Sequence, residues 1–208
     1  MTEIYLVRHG QSLGNEKRIY LGHTDWDLTA LGYDQAREAA KVLADVKLDA
    51  IYSSDLIRAM NTAKPHAELR GLQVVPCEGL REINVGEWEG VPVSELLLDE
   101  RFTVGWYKTF GNFTLPGGEC VFEAAKRVHK ALLEIAERHS GGTVLATLHA
   151  AAIRAFWCYI SGYQREDWAE KVDFPTNASI SLVRYENGKF TPVFYSDDSH
   201  LAKVTRIE

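Results

Sequence analysis

The residues best suited to chemistry lie near the start of the chain, in Arg8-His9-Gly10-Gln11-Ser12-Leu13-Gly14-Asn15. Their types suit a phosphate. Arg8 offers a planar fork of donors that matches phosphate oxygens. Ser12 and Asn15 add neutral donors, and Gly10 has no Cβ to keep the backbone from an anion. His9 can attack as a neutral imidazole, provided its other ring nitrogen is held by a hydrogen bond. A bare Arg-His-Gly is more often a surface turn with an exposed histidine. Position lifts this one above that reading. Ile4-Tyr5-Leu6-Val7, just before it, is a continuous apolar run of the kind that forms a strand covered on both faces.

A second histidine shares that setting. Thr143 to Leu148 is the strongest strand signal in the chain, and His149 stands at its end. In open α/β sheets, ligands bind beyond the carboxyl ends of the strands. Two strand-end histidines are therefore expected to converge on one crevice.

The elements that must position them alternate. After a long loop from Gln11 to Asp27, with room for one helical turn, Thr29 reads as a helix N-cap. Leu31, Gln35, Ala39, Leu43 and Val46 follow on one helical face. Ala50 to Tyr52 predicts a second strand. A helix capped by Ser53 or Ser54 comes next, with Leu56, Ala59, Met60 and Ala63 inward and Pro65 ending or kinking it. Gln73 to Val75 predicts a third strand. Residues 79–118 are irregular and rich in glycine and aromatics. A long amphipathic helix then runs from about Glu119 to His139 and closes at Gly141-Gly142. Ala150 to Ile160 predicts another helix. Ser179 to Tyr185 and Phe190 to Tyr195 predict a hairpin turning at Asn187-Gly188. This order implies a three-layer α/β/α fold: a mainly parallel sheet, an antiparallel edge hairpin and a small cap insertion at about 91–118, all in one domain over 1–208.

The segments LVRHGQSLGN and GHTDWDLTALGYDQA, with later motifs in the same order, resemble the histidine phosphatase superfamily, the phosphoglycerate mutase-like family. The likeness runs from about residue 3 to residue 180. It implies that His9 is the phosphoryl acceptor. It places Arg58, on the helix after the second strand, beside Arg8 as a second prong on the phosphate. In Leu80-Arg81-Glu82-Ile83-Asn84-Val85-Gly86-Glu87-Trp88-Glu89-Gly90 it makes Glu82 the proton donor, needed because a departing alkoxide must be protonated and a water later deprotonated. Glu87 and Glu89 are read as surface acids. His149 closes the pocket. Ser12, Asn15, Gly22 and Ala150 are the substrate-binding positions, and Ala150 stands where the family normally has glycine. His23, in the motif-bearing loop, is a candidate for the pocket entrance.

The resemblance implies a phosphatase acting on small phosphate monoesters, without a cofactor. The rival within the family is phosphoglycerate mutase-type transfer. Mutases carry extra basic residues in the cap, whereas 91–118 holds only Arg101 and Lys108. A rival of another class is a non-catalytic phospho-ligand binding module. In Phe102-x-x-x-Trp106-Tyr107-x-x-Phe110-x-x-Phe113, the spacing predicts a helical stripe, either packed into a cap or serving as a lid over the leaving group.

Composition excludes other classes. With 46% hydrophobic and 25% charged residues, the chain is neither disordered nor membrane-like. A net charge of -6 argues against nucleic acid, so an anionic substrate must be drawn by a local basic pocket. Three scattered cysteines and no HExxH or CxxC pair predict neither disulfides nor a metal site. The opening MTEIYLVRHG shows no basic leader, so a cytoplasmic protein is expected. Its partner would be a small phosphorylated metabolite rather than nucleic acid or a membrane. Monomer and homodimer both fit.

Overall fold

In the computed structural model, which describes residues 1–204, β1 (Thr2–Arg8) lies inside a six-stranded sheet. After it come α1 (Leu13–Lys17), α2 (Ala30–Val42), β2 (Ala50–Ser53), α3 (Ile57–Glu68) and β3 (Val74–Pro76). Then follow α4 (Val93–Leu96), α5 (Val121–Arg138), β4 (Thr143–Leu148), α6 (Ala150–Ile160), α7 (Trp168–Lys171), β5 (Ile180–Glu186) and β6 (Lys189–Asp197). The strand order is β3-β2-β4-β1-β5-β6. The first four run parallel, and β5 and β6 add an antiparallel edge. Asn187 and Gly188, both at positive φ, make the hairpin turn that their sequence predicts.

The pleat divides the core in two. Ile4 and Leu6 of β1 and Val144, Ala146 and Leu148 of β4 face one layer, with α5 and α6. Val7 and Leu145 face the other, with Ala39 of α2 and Ala63 and Ala67 of α3. Strands buried on both faces need apolar residues at every position, so β1 and β4 read as unbroken runs rather than alternating ones. Each buried valine, leucine or isoleucine among them stabilises the fold by about 1.5–3 kcal/mol.

Several local expectations change. The loop after β1 holds a full short helix, α1, capped by Ser12 and Asn15 acting on each other's backbone. Thr29 does cap α2, accepting from the Gly32 N–H. Neither Ser53 nor Ser54 caps α3; Leu56 occupies that position without a side-chain bond. Pro65 does not end α3, which runs on to Glu68. Proline inside a helix costs about 3 kcal/mol. Burial of Ala59, Ala63 and Ala67 around it offsets much of that cost.

The segment 91–118 carries α4, a π-helical stretch over Arg101–Trp106 and a 3-10 turn over Phe110–Asn112. Phe102, Trp106 and Phe110 are fully buried in the same core layer as α5 and α6. Tyr20, from the loop after β1, stands edge-on to Trp88, Phe102 and Trp106. The aromatic stripe therefore packs this segment onto the loop after β1. Among the described residues, no helix is long and apolar enough to cross a membrane.

Candidate active site

Strand register brings the two histidines together. Arg8 of β1 pairs with Leu148 of β4, so His9 and His149 leave adjacent parallel strands at the same level. Their ring centroids lie 5.2 Å apart. His9 Nδ1 is 2.7 Å from the Gly10 carbonyl. A carbonyl only accepts, so Nδ1 carries the proton and Nε2 keeps its lone pair. Burial first, then the charges of Arg58 and Arg8, hold the His9 pKa well below the usual histidine value. Its resting form is neutral imidazole.

His9 opens onto a cavity of about 630 Å³ at the carboxyl ends of the strands. Arg8, Ser12, Asn15, Arg58, Glu82 and Ala150 line it with His9. Arg8 donates to the Pro175 carbonyl, and burial lowers its pKa to about 10, still far above neutrality. Arg58, on the first turn of α3, is 2% exposed and donates to the Thr24 carbonyl at 2.9 Å and the Gly22 carbonyl at 2.7 Å. A guanidinium has five N–H donors. Two are committed here, and the rest remain for a ligand.

Glu82 is buried and points at the start of α6. Its Oε1 accepts from the N–H groups of Ile83 and Ala152, and its Oε2 from that of Ala151. A helix N-terminus offers unpaired N–H groups and partial positive charge, so it is a natural seat for a carboxylate. Ala150, the first residue of α6, forms part of the cavity wall.

Other expected positions lie elsewhere. His149 is fully buried and does not line the cavity; its Nε2 lies 2.8 Å from Ser54 Oγ, and its Nδ1 has no partner among the described residues. Burial, then Arg58, depresses its pKa well below the ordinary value. Gly22 also lies outside the cavity. A Cβ there would stand 2.6 Å from the Ile83 carbonyl oxygen, so glycine permits a close loop crossing. Gly10 is similar: its Cβ would meet the Gly32 carbonyl at 2.3 Å, so its missing side chain serves contact with α2 rather than with an anion. His23 is not at the entrance; its Nε2 is 2.9 Å from the Glu82 backbone carbonyl. Glu89 is no surface acid. It accepts from three successive N–H groups, those of Gly22, His23 and Thr24.

Sequence reasoning missed the segment before β5. Phe174, Thr176 and Asn177 line the cavity, and Asn177 donates to the His9 carbonyl and to Asn15 Oδ1. Phe174-Pro175-Thr176-Asn177, a turn composition ahead of a strand, was the available signal. Tyr20, Trp106 and Tyr107 add aromatic lining, with Trp106 stacked on Phe174. Among the described residues, no three His, Cys, Asp or Glu side chains are grouped to hold a metal ion.

The model of the histidine phosphatase superfamily, branch 1, matches residues 4–198. The chain belongs to this superfamily. A putative phosphoserine phosphatase of Hydrogenobacter thermophilus is 35% identical over 207 residues, which are 99% of this chain and 100% of that one. A probable phosphoglycerate mutase of Salmonella choleraesuis is 32% identical over 194 residues, covering 91% of this chain and 88% of the other. Among solved structures, YhfR of Bacillus stearothermophilus superposes with a TM-score of 0.89 at 28% identity, over 97% of this chain and 100% of that one. The fold of this histidine phosphatase is thus shared along nearly its whole length.

Proposed function

We propose that this histidine phosphatase hydrolyses small phosphate monoesters through a phosphohistidine on His9. The observation that carries the reading is the state of His9: neutral, with Nε2 free, in a cavity also lined by Arg8, half-buried, and Arg58, buried. Arg8 and Arg58 hold the phosphoryl oxygens, with Ser12, Asn15 and the Ala150 N–H around them. His149 stands beside His9 but outside the cavity wall, so it holds no phosphoryl oxygen in this scheme. In the first step Nε2 attacks phosphorus in line, the P–O bond to the ester oxygen breaks, and Glu82 protonates that oxygen. In the second, Glu82 takes a proton from water, the water oxygen attacks phosphorus, and the P–N bond breaks. Inorganic phosphate leaves and His9 is neutral again. Every positive charge in this scheme is a side chain, so no cofactor enters it.

Hydrolysis is favoured over mutase-type transfer by what the cap segment brings to the wall, although Arg18, from the loop after β1, lines the cavity too. From 91–118 only Val93, Trp106 and Tyr107 reach the cavity, and none is a cation. Arg101 is exposed and engaged with Asp99 and Glu87. The 35% identical relative, named a phosphoserine phosphatase, supports the same choice.

The test is His9→Ala with para-nitrophenyl phosphate, in the presence of a chelator. Turnover is expected to vanish while the fold, read by circular dichroism, is kept. Acid-labile phosphate should be trapped on the rapidly quenched wild type and not on the variant. Unchanged phosphate release by folded His9→Ala would end the covalent reading.

A further inference from the structure

Arg58 reaches the cavity on a long, flexible side chain, so something must fix its guanidinium. Two carbonyls do so, those of Gly22 and Thr24, at 2.7 and 2.9 Å. Both belong to a loop whose own conformation is not set by any helix or strand. On the opposite side, the N–H groups of the same residues point at one carboxylate. Glu89 Oε1 accepts from Gly22 at 2.9 Å and Thr24 at 3.0 Å, and Oε2 accepts from His23 at 3.1 Å. The loop is thus clamped between an acid and a base: its N–H groups face Glu89 and its carbonyls face Arg58. Asp25 Oδ1, which accepts from the Ile57 N–H, ties the next residue of the loop to the start of α3.

The arrangement suits a charged acceptor. A carboxylate brings two oxygens and about four lone-pair directions, enough for three N–H donors. Charge-assisted bonds of this kind are roughly twice as strong as neutral ones. Burial alone would raise the Glu89 pKa, yet the N–H groups of Thr24, His23 and Gly22 hold it below the usual carboxylate range. Gly22 completes the device, because a Cβ there would lie 3.0 Å from Glu89 Oε2 as well as against the backbone of Ile83 and Val85.

We infer that Glu89 is a positioning residue for the phosphate clamp: it sets the loop over residues 22–24, and that loop sets the guanidinium of Arg58. Glu89 touches neither the cavity nor the transferred group. The inference rests on the reading of Arg58 as a phosphate ligand.

A double-mutant cycle tests it. Glu89→Gln keeps the shape, offers one acceptor oxygen instead of two and turns an NH₂ toward an N–H. Displacing a catalytic group by about 1 Å can lower rates about 10²-fold. Glu89→Gln is therefore expected to lower kcat/KM for para-nitrophenyl phosphate by roughly 10- to 100-fold. In an Arg58→Ala background, the same change should cost less than about twofold, because the group it positions is gone. Melting temperatures of all four proteins separate this from general damage, since a merely structural role would lower activity by the same factor in both backgrounds. Equal factors in the two backgrounds, or a single variant within twofold of wild type, would overturn the inference. Wild-type turnover by Arg58→Ala would instead overturn the clamp itself. Should Glu89→Gln not fold, Glu89→Asp, which keeps the charge but shortens the reach, carries the same cycle with the same outcomes.

Discussion

Replacing Glu82 by glutamine separates its two jobs, one chemical and one structural. Three N–H groups converge on the carboxylate, Ile83 at 3.0 Å and Ala152 at 2.9 Å on Oε1 and Ala151 at 3.1 Å on Oε2. Glutamine has one acceptor oxygen. Placed at Oε1 it keeps two bonds and sets its NH₂ against the Ala151 N–H. A buried donor left unpaired costs about 1–3 kcal/mol. For a domain of this size, 1 kcal/mol corresponds to about 2–4 °C, so the melting temperature should fall by roughly 2–12 °C. The chemical loss has a different signature. Glutamine cannot protonate a leaving group, and general acid catalysis is worth roughly 10²- to 10⁴-fold where the leaving group is poor. An alkyl ester such as glycerol phosphate should lose that much in the first step. Para-nitrophenyl phosphate, whose leaving group needs little protonation, should lose less than about tenfold in the burst of nitrophenol. Structural damage would slow both esters alike, so the ratio of the two deficits is the measurement. Glu87→Gln serves as the control, because that side chain is exposed and pairs with Arg101 at 3.5 Å. Equal deficits on the two esters, or a larger loss in Glu87→Gln, would refute Glu82 as the acid.

Arg58→Ala should lower kcat more than it raises KM, because the clamp faces charge that grows in the transition state; a raised KM with unchanged kcat would make Arg58 a ground-state anchor only. His66 is fully buried in α3 with neither ring nitrogen bonded among the described residues, and burial, with Arg70 and His200 nearby, lowers its pKa from 6.5 to about 3. Between those values the unfolded chain binds a proton that the native one does not. The neutral ring's stability is therefore whole above pH 6.5 and declines as pH falls toward 3. At about pH 5 the loss is roughly 2 kcal/mol. Urea midpoints at about pH 7.5 and 5 should show that extra loss in wild type and not in His66→Leu; equal losses in both would refute it.

What could be read from the sequence was whatever a short window controls. The apolar runs of β1 and β4 are continuous because both faces are covered, and each run ends at a histidine. Those endings set both histidines at the carboxyl side of the sheet, while the β1–β4 pairing that makes them neighbours shows only in the fold. The Asn187-Gly188 turn and the Thr29 cap are equally local. What could not be read depends on chain segments that meet only after folding. Pro65 carries a strong local signal against a helix, yet burial of the alanines around it decides otherwise. Ser54 looked like a cap and is instead the partner of His149, a residue 95 positions away.

Glu87 and Glu89 show the limit most sharply. They are two acids of the same type, two positions apart in one irregular segment, and no local pattern ranks them. One is exposed beside Arg101, while the other is bonded to the backbone of residues 22–24, more than sixty positions earlier. The difference arises because Trp88 between them is buried. Anchoring that ring turns one neighbour toward solvent and the other toward the loop over residues 22–24. A buried residue inside an irregular stretch therefore fixes the roles of both its neighbours. The same logic holds at Glu82, which Ile83, fully buried beside it, fastens next to the start of α6.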